Sequence, residues 1–247
     1  MNRFPTPEYL HGYWHDCFNI KEHLRDFLQL DESTLEQKLS QAKQELAEIG
    51  HRDFNWEEAA KFYRDHVKET YLFELSAWHL SSVDYIGETL LLISSQAQGR
   101  VLDFGGGIGT HAIAAALCPQ VEEVVYCDIN PINRNFTASR VAQMGLENKV
   151  KICDEIIPES TFDTVICFDV IEHLPDPVSQ LLKFHEILSS SGKMLVNWYF
   201  FKGFNNEFSF HLDDPKIIDA FFTTLGQNFL EVFHPYYITA RSYRKLT

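Results

Sequence analysis

The stretch VLDFGGGIGT, Val101 to Thr110, decides how the chain is read: an apolar run ends in an aspartate, and four of the six residues after it are glycine. A backbone without Cβ atoms turns sharply and lets a ligand come close. Two kinds of ligand use such a loop. A dinucleotide fold requires G-x-G-x-x-G, with the third glycine packing helix on strand. Counted from Gly105, that glycine falls at Thr110. The chain carries D-x-G-x-G-x-G instead, made of Asp103, Gly105, Gly107 and Gly109. A carboxylate at the strand end repels a pyrophosphate and suits a cationic group. The loop therefore fits a zwitterion that carries an amino group.

Downstream, short apolar runs alternate with helical segments, the texture of a parallel sheet wrapped by helices. The strand candidates are VLDF (Val101 to Phe104), VEEVVYCD (Val121 to Asp128), KVKICD (Lys149 to Asp154), FDTVICF (Phe162 to Phe168) and KMLVNWYF (Lys193 to Phe200). SSSG, Ser189 to Gly192, reads as a loop before the fifth. Two final runs, NFLEVFHP and ITARSYRKL, suit an antiparallel pair because their connection is short. The expected fold class is α/β: a doubly wound, Rossmann-like, mostly parallel seven-stranded sheet with an antiparallel C-terminal strand. Ligands of such a sheet sit beyond the carboxyl ends of its strands.

Everything before about residue 96 reads as helix. Ser33 and Glu36 have the spacing of a capping box, with Leu35, Leu39, Ala42, Leu46 and Ile49 on one face and Gly50 as the stop. Asn55 with Glu58 marks a second start, for one helix from Trp56 to Leu80, and a third run spans Val83 to Ser95. The chain divides into an all-helical N-terminal extension or lid, residues 1–95, and a binding domain, residues 96–247.

Acids recur at the strand ends. Asp128 ends the second strand, 25 residues after Asp103, where a carboxylate accepts two hydrogen bonds from a ribose diol. Asp154 ends the third, placed to accept from an exocyclic adenine amine, and Asp169 follows the fourth. Four strand-end acids along one sheet edge are not surface decoration.

From about Gly99 to Gly226 the chain resembles class I S-adenosylmethionine-dependent methyltransferases, the broad group that includes small-molecule enzymes. VLDFGGGIGT looks like that family's first motif and YCDIN like its ribose-binding segment. FDTVICFDVIEHLPDP is similar to its fourth-strand segment, and LSSSGKMLV to the approach to its fifth strand, with Ser191 where the family usually has proline. The resemblance implies S-adenosyl-L-methionine as cofactor. It implies that Asp103, Gly105, Gly106, Gly107 and Gly109 hold the methionine end, Asp128 the ribose, Ile129 the adenine face and Asp154 the adenine amine, with Glu155 competing for the last role. Asp169 completes the cofactor-facing acids.

The formal net charge of -14 argues against a long nucleic-acid footprint, which needs clustered Lys and Arg. So does the absence of an Asn-Pro-Pro-Tyr type segment, whose place FDVIEH occupies. No apolar run has the length of a membrane span, so no membrane partner is expected and the cytoplasm is the expected location. The five cysteines show no C-x-x-C spacing, so reduced core thiols and no metal are expected.

The expected reaction is methyl transfer to an oxygen or nitrogen of a small, partly apolar metabolite. His173, in VIEHLP, faces the methyl as a general base or orients its loop by hydrogen bonding. His211, in FSFHLDDP, falls where this fold lines its acceptor pocket. His79, beside Trp78, belongs more simply to a packed aromatic face. Phe201, Phe204, Phe208 and Phe210 exceed what a connecting loop carries, which suits a cavity wall or a satellite cluster under the N-terminal helices. Two other classes share parts of the pattern. One is a non-catalytic S-adenosylmethionine-binding or partner subunit; the other is a nicotinamide-dependent oxidoreductase, against which the missing third glycine and Asp103 speak. The oligomeric state stays open.

Overall fold

Each apolar run expected to be extended is a strand in the computed structural model, which describes residues 6–156, 161–234 and 240–246. The strands are β1 (Gly99–Phe104), β2 (Val121–Cys127), β3 (Val150–Cys153), β4 (Phe162–Cys167), β5 (Leu188–Val196), β6 (Phe229–Val232) and β7 (Arg241–Lys245). They form one seven-stranded sheet in the order β3-β2-β1-β4-β5-β7-β6. The first five are parallel, and β7 runs antiparallel to both β5 and β6. Strand order reverses between β1 and β4, which opens a crevice at their carboxyl ends. Residues 157–160 of the EIIPEST loop, and residues 235–239 from the end of one final run to the start of the other, lie outside the described residues.

Ten α-helices are described: α1 (Glu8–His15), α2 (Ile20–Leu28), α3 (Glu32–Asp53), α4 (Ala59–Lys61), α5 (Lys68–Ser81), α6 (Val83–Gln96), α7 (Thr110–Leu117), α8 (Pro131–Gln143), α9 (Pro177–Ile187) and α10 (Pro215–Asn228). The last three start alike, with proline at the first position behind a capping side chain: Asn130, Asp176 and Asp214 accept backbone N–H bonds there. Proline's fixed φ and missing N–H suit that position.

The N-terminal half departs from its sequence pattern in three places. Helix α3 is capped by Asp31, whose carboxylate takes the Thr34 N–H and the Ser33 hydroxyl; a carboxylate also complements the positive helix end better than a serine does. Gly50 does not stop this helix. It is buried inside it, where an added Cβ would lie 2.8 Å from Phe210 Cδ1. The expected single helix from Trp56 is broken into a 3-10 turn (Trp56–Glu58), α4, a π turn (Phe62–His66) and α5. At the fifth strand, pairing with β4 jumps from Phe162↔Leu188 to Thr164↔Lys193, so SSSG is a bulge within β5.

One apolar cluster crosses the 95/96 boundary. Leu10, Phe18 and Leu24 from the N-terminal helices pack with Ile93, Val101, Ala112 and Phe136. The other sheet face buries Leu102, Val165, Phe184 and Phe221. At the centre of the first cluster Arg140 is 0% exposed. Its guanidinium donates to the Ile108 carbonyl, Thr110 Oγ1, the Phe18 carbonyl, the Tyr13 hydroxyl and His23 Nδ1. Tyr13 in turn donates to the Thr110 carbonyl at 3.1 Å. A buried charge is tolerated only when such bonds replace its water, and these bonds pin α1 and α2 to the start of α7. Among the described residues no helix is long and apolar enough to cross a membrane.

Arg140→Met would leave the Ile108 and Phe18 carbonyls buried without a donor, a penalty of about 1–3 kcal/mol for each such group. Urea unfolding of this variant should show a loss of about 3 kcal/mol with an unchanged m-value. An unchanged midpoint would contradict the role given to the network.

Candidate active site

The glycine loop has no side chains of its own, so the end of β2 gives it shape. Gly105 and Gly106 donate to the Cys127 carbonyl at 2.8 and 3.2 Å. The Tyr126 hydroxyl donates to the Gly107 carbonyl at 2.6 Å, and Gly107 N–H donates to Asp128 Oδ2 at 2.8 Å. Gly105, Gly107 and Gly109 have φ of 69°, 53° and 76°, the left-handed region that favours glycine. Gly106 is required for another reason: a Cβ there would lie 2.6 Å from the Tyr126 ring and 2.7 Å from Asp103 Oδ2. On its outer side the loop meets α5, with Leu75 Cδ1 3.2 Å from the position of a Gly107 Cβ.

The acids around this loop are held in unusual states. Asp103 is 2% exposed, Oδ2 has no hydrogen-bond partner, and burial together with the Asp128 charge pushes its pKa up to about 7. Asp128 accepts from Gly107 and, at Oδ1, from the Asn130 N–H at 2.7 Å; burial still raises it to about 6. Asp169 sits at φ 55°, a strained conformation for a non-glycine residue. Its Oδ1 takes bonds from Asn197 Nδ2 at 3.0 Å and from the Tyr85 hydroxyl at 3.3 Å. Its Oδ2 has no partner, and burial raises its pKa to about 6. Glu172, 1% exposed, is raised to about 8 by burial and by the Asp169 charge.

A cavity of about 780 Å³ runs along this sheet edge. Gly105, Asp128, Ile129, Asp154 and Asp169 line one side, and Tyr63, Tyr71 and His173 line another. Asp154 and Glu155 both reach it and both are exposed. Gly106, Gly107 and Gly109 shape the loop, while Asp103 lies behind it against α7, where the Ala112 backbone bonds it. His173 stands in a 3-10 turn, its Nδ1 2.8 Å from the Tyr63 hydroxyl. Burial, with His211 nearby, lowers its pKa to about 3. His211 is behind it, ring centroids 4.7 Å apart and Nδ1 3.0 Å from the Phe201 carbonyl oxygen; burial lowers it to about 4.

The aromatic loop divides. Phe208 and Phe210 join Leu46, Phe62 and Val67 in a cluster under the N-terminal helices, whereas Phe204 is 94% exposed. His79 packs edge-on against Phe18 and Trp78. Sequence reasoning missed Tyr63, Tyr71 and Asn197. The π turn brings Tyr63 to the sheet edge, where Asn130 Nδ2 also bonds its carbonyl at 2.9 Å. Among the described residues no group of three or more His, Cys, Asp or Glu side chains is placed to hold a metal ion.

Residues 79–244 match the model of a methyltransferase domain family. The chain belongs to that family, the class I S-adenosylmethionine-dependent methyltransferases. It is 28% identical over 124 residues to the ubiquinone biosynthesis O-methyltransferase of Xanthomonas oryzae pv. oryzae, covering 47% of this chain and 47% of that protein. It is 28% identical over 89 residues to the ribosomal RNA small subunit methyltransferase G of Acinetobacter baumannii, covering 36% of this chain and 42% of that protein. The chain thus spans less than half the length of these curated relatives. A candidate rRNA methylase from Clostridium thermocellum shares the fold, with a TM-score of 0.51 at 14% identity over 66% of this chain and 96% of that one. S-adenosylmethionine is the cofactor of this methyltransferase class. The rim fits it: a side-chain-free cradle, acids at the strand ends, and two carboxylate oxygens, Asp103 Oδ2 and Asp169 Oδ2, without a protein donor.

The raised acids fix a pH dependence. In the folded chain burial holds the pKa of Asp103 at about 7, well above the ordinary aspartate value of 3.8. Its stabilising contribution is therefore present below the unfolded value and lost as pH rises through the folded one. Asp103→Asn should gain stability relative to the parent between about pH 4 and pH 7 in thermal melts without cofactor. A difference that does not change with pH would contradict the burial of this charge.

Proposed function

We propose that this methyltransferase moves a methyl group from S-adenosylmethionine to an oxygen or nitrogen of a small, partly apolar metabolite. The observation that carries this reading is the cavity itself, which is lined both by the glycine rim and by a hydrogen-bonded tyrosine–histidine pair. In this reading Asp103 and the loop from Gly105 to Gly109 hold the methionine end and Asp128 the ribose. Ile129 packs on the adenine, and Asp154 takes its amine. Ala59, Ala60, Leu174 and Ile187 supply the apolar wall beyond them. The helices of residues 1–95 act as its lid.

The bound cofactor supplies an electrophilic methyl on a sulfonium. The chain's own residues must then align the acceptor, keep water out and remove a proton where the acceptor has one to lose. His173, lowered to about 3, is too weak a base for an alcohol or amine at neutral pH. Its part is to fix the Tyr63 hydroxyl, which hydrogen-bonds the acceptor, while His211 holds the imidazole from behind. Asp169 lines the same cavity with one oxygen unpartnered, which supports the cofactor-facing part given to it. A net charge of -14 disfavours a polyanionic acceptor, although one relative acts on ribosomal RNA by its name.

The test is incubation with methyl-labelled S-adenosylmethionine and, in parallel, a small-metabolite extract or total RNA. Label should enter the small-molecule fraction. Tyr63→Phe should lower turnover by about tenfold to a hundredfold while S-adenosylhomocysteine affinity holds. Label in RNA, or a parent protein that binds NAD in place of S-adenosylhomocysteine, would contradict the proposal.

A further inference from the structure

Two cysteines stand side by side under the rim, and methyl transfer uses neither thiol. Cys127 closes β2, Cys153 closes β3, and the two pair in register in the parallel ladder. Residues so paired project to one face, and both side chains belong to the apolar cluster on the α9–α10 side of the sheet. Neighbouring strands lie about 4.8 Å apart, inside the roughly 4.4–6.8 Å Cα separation that a disulfide spans. Both cysteines are free thiols. Each is reachable: Cys127 lines the cavity and Cys153 is half-buried.

The nearness of the two thiols holds Cys153 below its ordinary pKa and pushes Cys127 up. Cys153 Sγ also lies 3.5 Å from the Tyr126 carbonyl oxygen. Cys153 is the more exposed of the two thiols, and exposure favours oxidation, so Cys153 is the attacking sulfur and Cys127 the resolving one.

Their backbones carry the cofactor site. The Cys127 carbonyl receives the N–H groups of Gly105 and Gly106, and the Cys153 carbonyl receives the Asp128 N–H at 3.3 Å. Any movement that joins the two sulfurs is transmitted to the glycine loop and to the ribose-facing acid.

We propose that Cys127 and Cys153 form a reversible disulfide that disables the cofactor rim, making this pair a peroxide-sensitive modification site. The proposal rests on the reading of the rim as the cofactor site. Cys153 thiolate attacks hydrogen peroxide and takes one oxygen as a sulfenic acid, and the hydroxide released leaves as water with the thiol's proton. The Cys127 sulfur then attacks the sulfenic sulfur, and the displaced oxygen leaves as a second water carrying the Cys127 proton. Two thiols lose two electrons and the peroxide gains them. A disulfide between adjacent parallel strands is strained, and strained disulfides are readily reduced, so dithiothreitol reverses the change.

The test treats the full chain with hydrogen peroxide and reads three quantities. Peptide mapping should link Cys127 to Cys153, with an intact mass lower by two hydrogens. S-adenosylhomocysteine affinity should weaken by at least about tenfold, or 1.4 kcal/mol, and dithiothreitol should restore both. Cys153→Ser should show the same S-adenosylhomocysteine affinity before and after peroxide, whatever its starting value. A map without this link, or a mapped link with unchanged affinity, would overturn the switch. A reduced parent that fails to bind S-adenosylhomocysteine would instead overturn the cofactor reading and leave the mapping result standing by itself.

Discussion

The carboxyl end of β2 imposes shape on a loop that has none. Gly105, Gly106 and Gly107 are too small to hold themselves, and three successive residues, Tyr126, Cys127 and Asp128, bind them through a hydroxyl, a carbonyl and a carboxylate. Loop and Asp128 are consequently one unit. The arrangement brings two buried carboxylates close together, and the Asp128 charge disfavours ionisation of Asp103. A cationic amino acid bound beside them would offset that repulsion, which is the electrostatic reason that a sulfonium zwitterion suits this edge.

The N-terminal helices are joined to that unit at two points. Arg140 links α1 and α2 to Ile108, within the glycine loop, and to Thr110, directly after it. Further along, the π turn places Tyr63 against His173 and Asn130. A widened helical turn inserts an extra residue, and such turns recur at functional sites. Here the insertion turns Phe62 into the apolar cluster and presents Tyr63 to the cavity. The helical segment is thus both a structural partner of the sheet and a wall of the site.

The features legible in the sequence are those set by local physics. Alternating apolar runs gave the strands, and the glycine spacing with Asp103 separated this loop from a dinucleotide one. Asp128 and Asp154 stand one residue beyond β2 and β3, and Asp169 two beyond β4, at strand ends that the pattern marks. What escaped depends on contacts far along the chain. Gly50 reads as a helix stop, but its reason is the Phe210 ring. Ser33 has the spacing of a cap, yet Asp31 offers the better acceptor two residues earlier. SSSG has loop composition, and only pairing with β4 makes it a bulge. Tyr63 lay in what read as an unbroken helix, and Asn197, which fixes Asp169, carries no mark in the sequence beyond its place after β5.

A crystal structure of the reduced protein with S-adenosylhomocysteine tests the central claim most directly. Density is expected to run from the bend at Gly105–Gly107, past the Asp128 carboxylate, to Ile129 and Asp154. An empty rim under saturating ligand, or a ligand seated elsewhere on the molecule, would contradict the assignment of this sheet edge.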